Sequence, residues 1–172
     1  MLSGMSDWPR DLFVLPHFVG SGTPTLDPLS KGAVVGLKIS TTKGDLTRAV
    51  VDSINFEMKC NLEAMASNGI RIREIRAVGG GAKSDRWLSL KASCFGVPVR
   101  RPKVQEAVAL GSAILAASAT GMHPGVKEAA HAMVSIRDTF DPDPRLYAVY
   151  QEKFAKYREL YGRLAEFNRT LE

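Results

Sequence analysis

One stretch constrains this chain more than any other: Arg71-Ile72-Arg73-Glu74-Ile75-Arg76-Ala77-Val78-Gly79-Gly80-Gly81-Ala82-Lys83-Ser84-Asp85. It dictates a strand, a glycine turn and a helix start in succession. Ile72, Ile75, Ala77 and Val78 predict a short buried strand. Gly79 to Gly81 carry no Cβ, so the backbone can turn sharply and a flat ligand can lie directly on it. Ser84 suits the cap of the next helix and Asp85 its first turn. Free N–H groups at such a helix start accept phosphate or the polar edge of a ligand. A tight turn with no ligand fits the same residues.

The rest of the chain arranges itself around that turn. Leu12-Phe13-Val14-Leu15 predicts a strand ending at Pro16, followed by an exposed Gly/Pro-rich loop from Gly20 to Pro28. Gly32 to Ile39 predicts a second strand, its glycines marking a bend or a close backbone approach. From Asp45 to about Asn68, Leu46, Val50, Ile54, Met58 and Leu62 recur every four residues, as in a largely buried helix. A helix over Asp85–Phe95 is closed by Gly96. Val97-Pro98-Val99 predicts an edge strand, because proline cannot donate within a central ladder. Glu106 to about Thr120 is a helix of small residues, with a short helix opened by Pro124 and a linker or strand at Ser135–Phe140 after it. The final helix starts at Asp143-Pro144. Its seam of Tyr147, Tyr150, Phe154, Tyr157, Tyr161 and Leu164 suits docking onto its own domain and leaves self-association open. Strands alternating with helices define an α/β layered domain.

At 172 residues the chain is one domain with room for a real core. The net charge of +5 is scattered. The groups Arg71/Arg73/Arg76 and Arg100/Arg101/Lys103 have no aromatic residues between them, so they read as a solvated face and argue against nucleic acid. Cys60 and Cys94 form no disulfide pattern, which fits a reducing cytoplasm, and no apolar run is long enough for a membrane span. His17, His123 and His131 lack metal-ligand spacing. Nucleophile elbow, Walker loop and Cys-x-x-Cys are absent. The residues thus offer a ligand cradle without a base. Read locally, the strand, Gly79-x-Gly81, helix, strand and Arg100-Arg101 also mimic an NADP-binding unit, with Ser84 where the third glycine would stand.

Gly32-x-Val34-x-Gly36-Leu37, seven residues, then Asp45-Leu46-x-x-Ala49-Val50-Val51-Asp52 resembles a signature of the FGGY carbohydrate kinases. Gly79 to Ser84 with Trp87 is similar to the adenosine-binding motif of that family, particularly its xylulokinase-like members. Glu106-Ala107-x-Ala109-Leu110-Gly111-x-Ala113 resembles the small-residue helix that follows, and the likeness runs from about Leu12 to Phe167.

The resemblance implies a ribonuclease-H-like, actin/hexokinase-type ATPase domain, a mixed sheet flanked by helices. It implies transfer of the γ-phosphoryl of ATP to a sugar hydroxyl, a pentulose such as xylulose being favoured. Residues 1–11 would lead in from an N-terminal kinase domain, and 12–172 would be the C-terminal nucleotide-binding domain, with a terminal helix at about 144–168. The catalytic base and most ligands of Mg²⁺ would lie in the N-terminal partner domain, with no catalytic or metal residue in this chain. Gly81, flanked by Gly80 and Ala82, matches the glycine that lies against the nucleotide. Asp85 matches a position, often Asn in glycerol kinases, that reaches the adenine or ribose, and Asp there loses the amide donor. Leu110 and Gly111 would line or support the far side of the pocket. A non-catalytic actin-like binding or assembly module is the alternative.

Overall fold

The computed structural model describes residues 4–171. The chain divides into two compact units. The first comprises residues up to Ile72, Ser93–Phe95 and Asp143 onward; the second comprises Arg73–Ala92 and Gly96–Pro142.

In the first unit, β1 (Phe13–Leu15) pairs antiparallel with β2 (Ala33–Val35). β2 ends at Gly36, whose φ is +95°. A Cβ there would stand 2.2 Å from the Asp11 carbonyl oxygen, so the turn admits only glycine. The strand predicted over Gly32–Ile39 is therefore three residues long, and Leu37 and Ile39 lie exposed beyond it.

α1 (Lys43–Ser67) opens on a capping box in which Asp45 N–H donates to Thr42 Oγ1 and Thr42 N–H donates back to Asp45. α5 (Pro144–Asn168) opens on Asp143, which caps Arg145 and Leu146, with Pro144 in the first turn. The two helices pack on each other and on β1. Phe56 of α1 meets Tyr150, Phe154 and Tyr157 of α5 with ring centroids 5.8, 5.7 and 5.0 Å apart. All four rings are buried, each worth roughly 2–3 kcal/mol. This contact commits the middle of the aromatic seam within the chain.

The buried face of α1 differs from the expected stripe. Leu46 and Val50 are exposed, and Ile54, Met58 and Leu62 are only half-buried. Arg48, Asp52, Asn55 and Lys59 are buried instead, beside Ala49, Val51 and Phe56. Arg48 Nε donates to Asp52 at 2.9 Å, its Nη1 to the carbonyls of Ser6 and Asp7, and its Nη2 to the Tyr150 hydroxyl. The Tyr150 hydroxyl in turn donates to Asp52 Oδ1 at 2.5 Å. Lys59 Nζ donates to the Cys94 carbonyl at 3.0 Å and lies 4.8 Å from the Phe154 ring. Polar groups enter a core when they are paired there.

In the second unit, β3 (Ile75–Arg76), β4 (Val99–Pro102) and β5 (Ile136–Phe140) form a mixed sheet in the order β3-β4-β5, parallel then antiparallel. β4 is thus the central strand, not an edge. Pro98 precedes it and serves as an acceptor for Ile75 N–H, so its missing donor costs nothing. β3 is shorter than expected and only partly covered, with Ile75 half-buried and Arg76 exposed, and Val78 beyond its end is 44% exposed. α2 (Asp85–Phe95) follows the glycine turn and stops at Gly96, which has φ +73°. α3 (Ala107–Ala119) packs on α4 (Val126–Met133) through Ile114, Ala117 and Ala129.

Candidate functional site

The glycine turn is built within the second unit. Gly79 adopts φ +75°, the left-handed region in which other residues are disfavoured. Its N–H donates to the Gln105 carbonyl at 3.3 Å, and its carbonyl accepts from Ala82 N–H at 3.1 Å. Gly80–Lys83 then closes one 3-10 turn, and Ser84 Oγ caps α2 by accepting from Trp87 N–H at 3.2 Å.

Three of the four predicted site residues, Gly80, Gly81 and Ala82, fall on this one turn, and the fourth, Asp85, opens α2; they face differently. A Cβ built at Gly80 meets nothing within 4 Å. At Gly81 it meets only the Trp87 ring, at 3.5 Å. Bare backbone at these two positions leaves a surface that a planar group can approach closely. Ala82 is buried, so its side chain belongs to the core and only its backbone serves the turn. The Asp85 side chain is 72% exposed, at the head of α2.

Sequence reasoning missed the residue that ties the turn down. Arg101, assigned to a solvated basic face, is only 3% exposed. Its Nη1 donates to the Ala82 carbonyl at 3.0 Å and pairs with Asp85 Oδ1 at 2.7 Å. Its Nε reaches Asp138 Oδ2 at 2.7 Å, and its guanidinium lies 5.3 Å from the Phe140 ring centroid. The Arg101 and Arg137 guanidinia hold the Asp138 carboxyl below the usual carboxylate range. Arg100 pairs with Glu74 at 3.0 Å. The NADP reading therefore loses its cation for a 2′-phosphate: Arg101 is committed to internal acceptors. Strand order alone could not show this, because burial of one arginine in a basic run depends on the acidic partner at position 138.

Leu110 packs against the Ile114, Ala117 and Ala129 cluster. A Cβ at Gly111 would meet nothing within 4 Å, so that glycine does not serve close helix packing. In the first unit, a cavity of about 360 Å³ is lined by His17, Glu57, Cys60, Tyr157 and Tyr161 among others, and by none of the predicted site residues. Burial and the neighbouring Glu57 and Glu63 carboxylates push the Cys60 thiol up to about 11, which makes it a poor nucleophile. Among the described residues no group of three or more His, Cys, Asp or Glu could hold a metal ion, and no helix is long and apolar enough to cross a membrane.

Residues 5–120 match the C-terminal domain of the FGGY family of carbohydrate kinases. The chain is similar to a xylulose kinase of Staphylococcus epidermidis, 29% identical over 160 residues, which cover 93% of this chain and 32% of that protein. It is similar to a glycerol kinase of Ralstonia nicotianae, 40% identical over 129 residues, or 74% of this chain and 26% of that protein. The crystal structure of ligand-bound xylulose kinase from Lactobacillus acidophilus superposes with a TM-score of 0.86 and 29% identity, covering 95% of this chain and 33% of that one.

A turn of bare backbone at a helix head, on a mixed sheet flanked by helices, is thus set in an actin/hexokinase-type fold. The chain belongs to the FGGY family of carbohydrate kinases, whose C-terminal domain it matches. It spans about a third of the length of the xylulose kinases it resembles and about a quarter of the glycerol kinase.

Proposed function

We infer that this chain is the nucleotide-binding half of a sugar kinase, which holds ATP so that its γ-phosphoryl passes to a sugar hydroxyl. The observation that carries the reading is the open backbone at Gly80 and Gly81 beside the capped start of α2. An adenine or ribose face lies there against atoms with no side chain to displace it. Asp85, whose carboxylate can only accept, takes an N–H or O–H of the nucleoside. Ala82 shapes the turn from beneath.

The protein's part in such a transfer is mostly positioning and charge stabilisation. The sugar oxygen bonds to the γ-phosphorus as the bond to the β,γ-bridging oxygen breaks, ADP leaves, and the hydroxyl proton goes to a base. We assign that base to an N-terminal kinase domain, the partner of this half. Mg²⁺ would neutralise phosphate charge and would be held mainly by that domain. Closing the two halves would exclude water from the transfer. The favoured sugar is a pentulose such as xylulose. This rests on the xylulokinase-like Gly79–Trp87 stretch and on the 93% coverage of this chain by a xylulose kinase.

The test is a titration of the chain with adenosine, ADP, ATP and NADPH by chemical-shift perturbation. Adenosine-dependent shifts centred on Gly80–Asp85 are expected, with weak affinity. Gly81→Val, which puts two methyl groups onto the open face, should abolish them. Equal binding by the variant would remove the assignment, and a preference for NADPH would overturn the kinase reading.

A further inference from the structure

We propose that Arg101 is the positioning residue of the nucleotide site: it clamps the glycine turn to the sheet and holds the Asp85 carboxylate toward the nucleoside. This rests on the reading of Gly80–Asp85 as that site.

The geometry carries the proposal. A 3-10 turn has poorer hydrogen bonds than an α-helix and no side chain at Gly80 or Gly81 to pack it. Its internal bonds are thus too few to fix an exposed backbone surface. Arg101 supplies what is missing from outside the turn. One nitrogen, Nη1, serves both the Ala82 carbonyl and Asp85 Oδ1, three residues apart, while Nε and Nη2 serve Asp138 on β5. The fork therefore joins the turn, the head of α2 and the strand pair β4–β5 through one planar group. The Phe140 ring below it limits its tilt.

The charge argument points the same way. An unpaired Asp85 carboxylate at the site would repel an incoming polyphosphate. The Arg101 guanidinium, buried and aimed at it, offsets that charge while leaving Asp85 exposed enough to accept from the ligand. A lysine at this position could keep the charge but not the three-way fork.

Three variants of the 172-residue chain separate positioning from plain stability. Arg101→Lys keeps the charge. Val99→Ala trims a buried residue of the same strand and lowers stability while leaving every hydrogen-bonding group of Arg101, Ala82, Asp85 and Asp138 in place. Asp138→Asn, at a half-exposed position, loosens the fork from β5 and stands in if Arg101→Lys does not fold. Amide exchange is read without ligand, and adenosine affinity by shift titration.

In Arg101→Lys the Ala82–Asp85 amides should exchange faster while β4–β5 amides stay protected. Adenosine should bind about tenfold more weakly, the scale of one charge-assisted hydrogen bond. Asp138→Asn should move both readouts the same way by a smaller factor, and Val99→Ala should leave affinity unchanged. Adenosine binding by Arg101→Lys equal to the parent, or equal weakening by Val99→Ala, overturns the positioning role and leaves the nucleotide site standing. Absence of any adenosine shift in the parent chain overturns the nucleotide reading itself, and the positioning role with it.

Discussion

Arg48 shows how much one residue can hold. It is 1% exposed and donates to Asp52, to two backbone carbonyls near the start of the described chain and to Tyr150. Burial holds the Asp52 carboxyl above its ordinary value, and the Arg48 charge and the Tyr150 hydroxyl offset only part of that rise. Arg48→Met removes the cation and strands a buried acid, which should cost about 3–5 kcal/mol in urea unfolding. Adding Asp52→Leu should recover part of that loss, because a buried pair replaced by apolar groups is far cheaper than a broken one. An unchanged unfolding midpoint in Arg48→Met would mean the network carries no stability.

At the scale of elements, the caps set the response to acid. Asp45 accepts from Thr42 N–H, from Ser6 Oγ at 2.7 Å and from Arg10 at 2.8 Å, and these bonds hold its carboxyl far below the usual range. A depressed carboxyl contributes stability above its unfolded pKa of about 3.9 and loses it as pH falls through the folded value. The chain should therefore lose stability below about pH 4. Asp45→Asn should flatten that acid limb when urea midpoints are compared at pH 3 and pH 7. An equally steep limb in the variant would place the sensitivity elsewhere.

Local chemistry made much of these elements legible. Ser84, Asp143-Pro144 and Gly96 announce their helix ends in the sequence, because caps act within three or four residues. The glycine turn is legible for the same reason. The inward face of α1 was not: periodicity favoured Leu46 and Val50, yet the helix buries Arg48, Asp52 and Lys59, which pair with Tyr150 and Cys94 at 35 to 102 residues' remove, Arg48 and Asp52 also with each other across one turn. Arg101 was lost in the same way, since Asp138 is 37 residues on. Pro98 misled because a proline just before a strand looks, in sequence, like a proline within it.

For the whole molecule, the division of labour makes a direct prediction. Given ATP, Mg²⁺ and xylulose, this chain alone should release no ADP above background in a coupled assay, although it folds. Turnover would place a base among these residues and reverse the assignment of chemistry to the other half.

The two-unit layout bears on how the chain is made. The first unit begins before residue 72 and is completed only by residues from Asp143 on, with the second unit spelled out in between. Domains generally fold as they leave the ribosome, the earliest residues first. Here the segment 73–142 emerges nearly whole, while Arg48 must wait 102 residues for the hydroxyl of Tyr150. During that interval α1 carries Arg48, Asp52 and Phe56 with no opposing helix. Synthesis therefore passes through a stage in which the middle of the chain is ready while the stretch before it still waits for the last thirty residues, and that exposed helix is the surface a chaperone would meet.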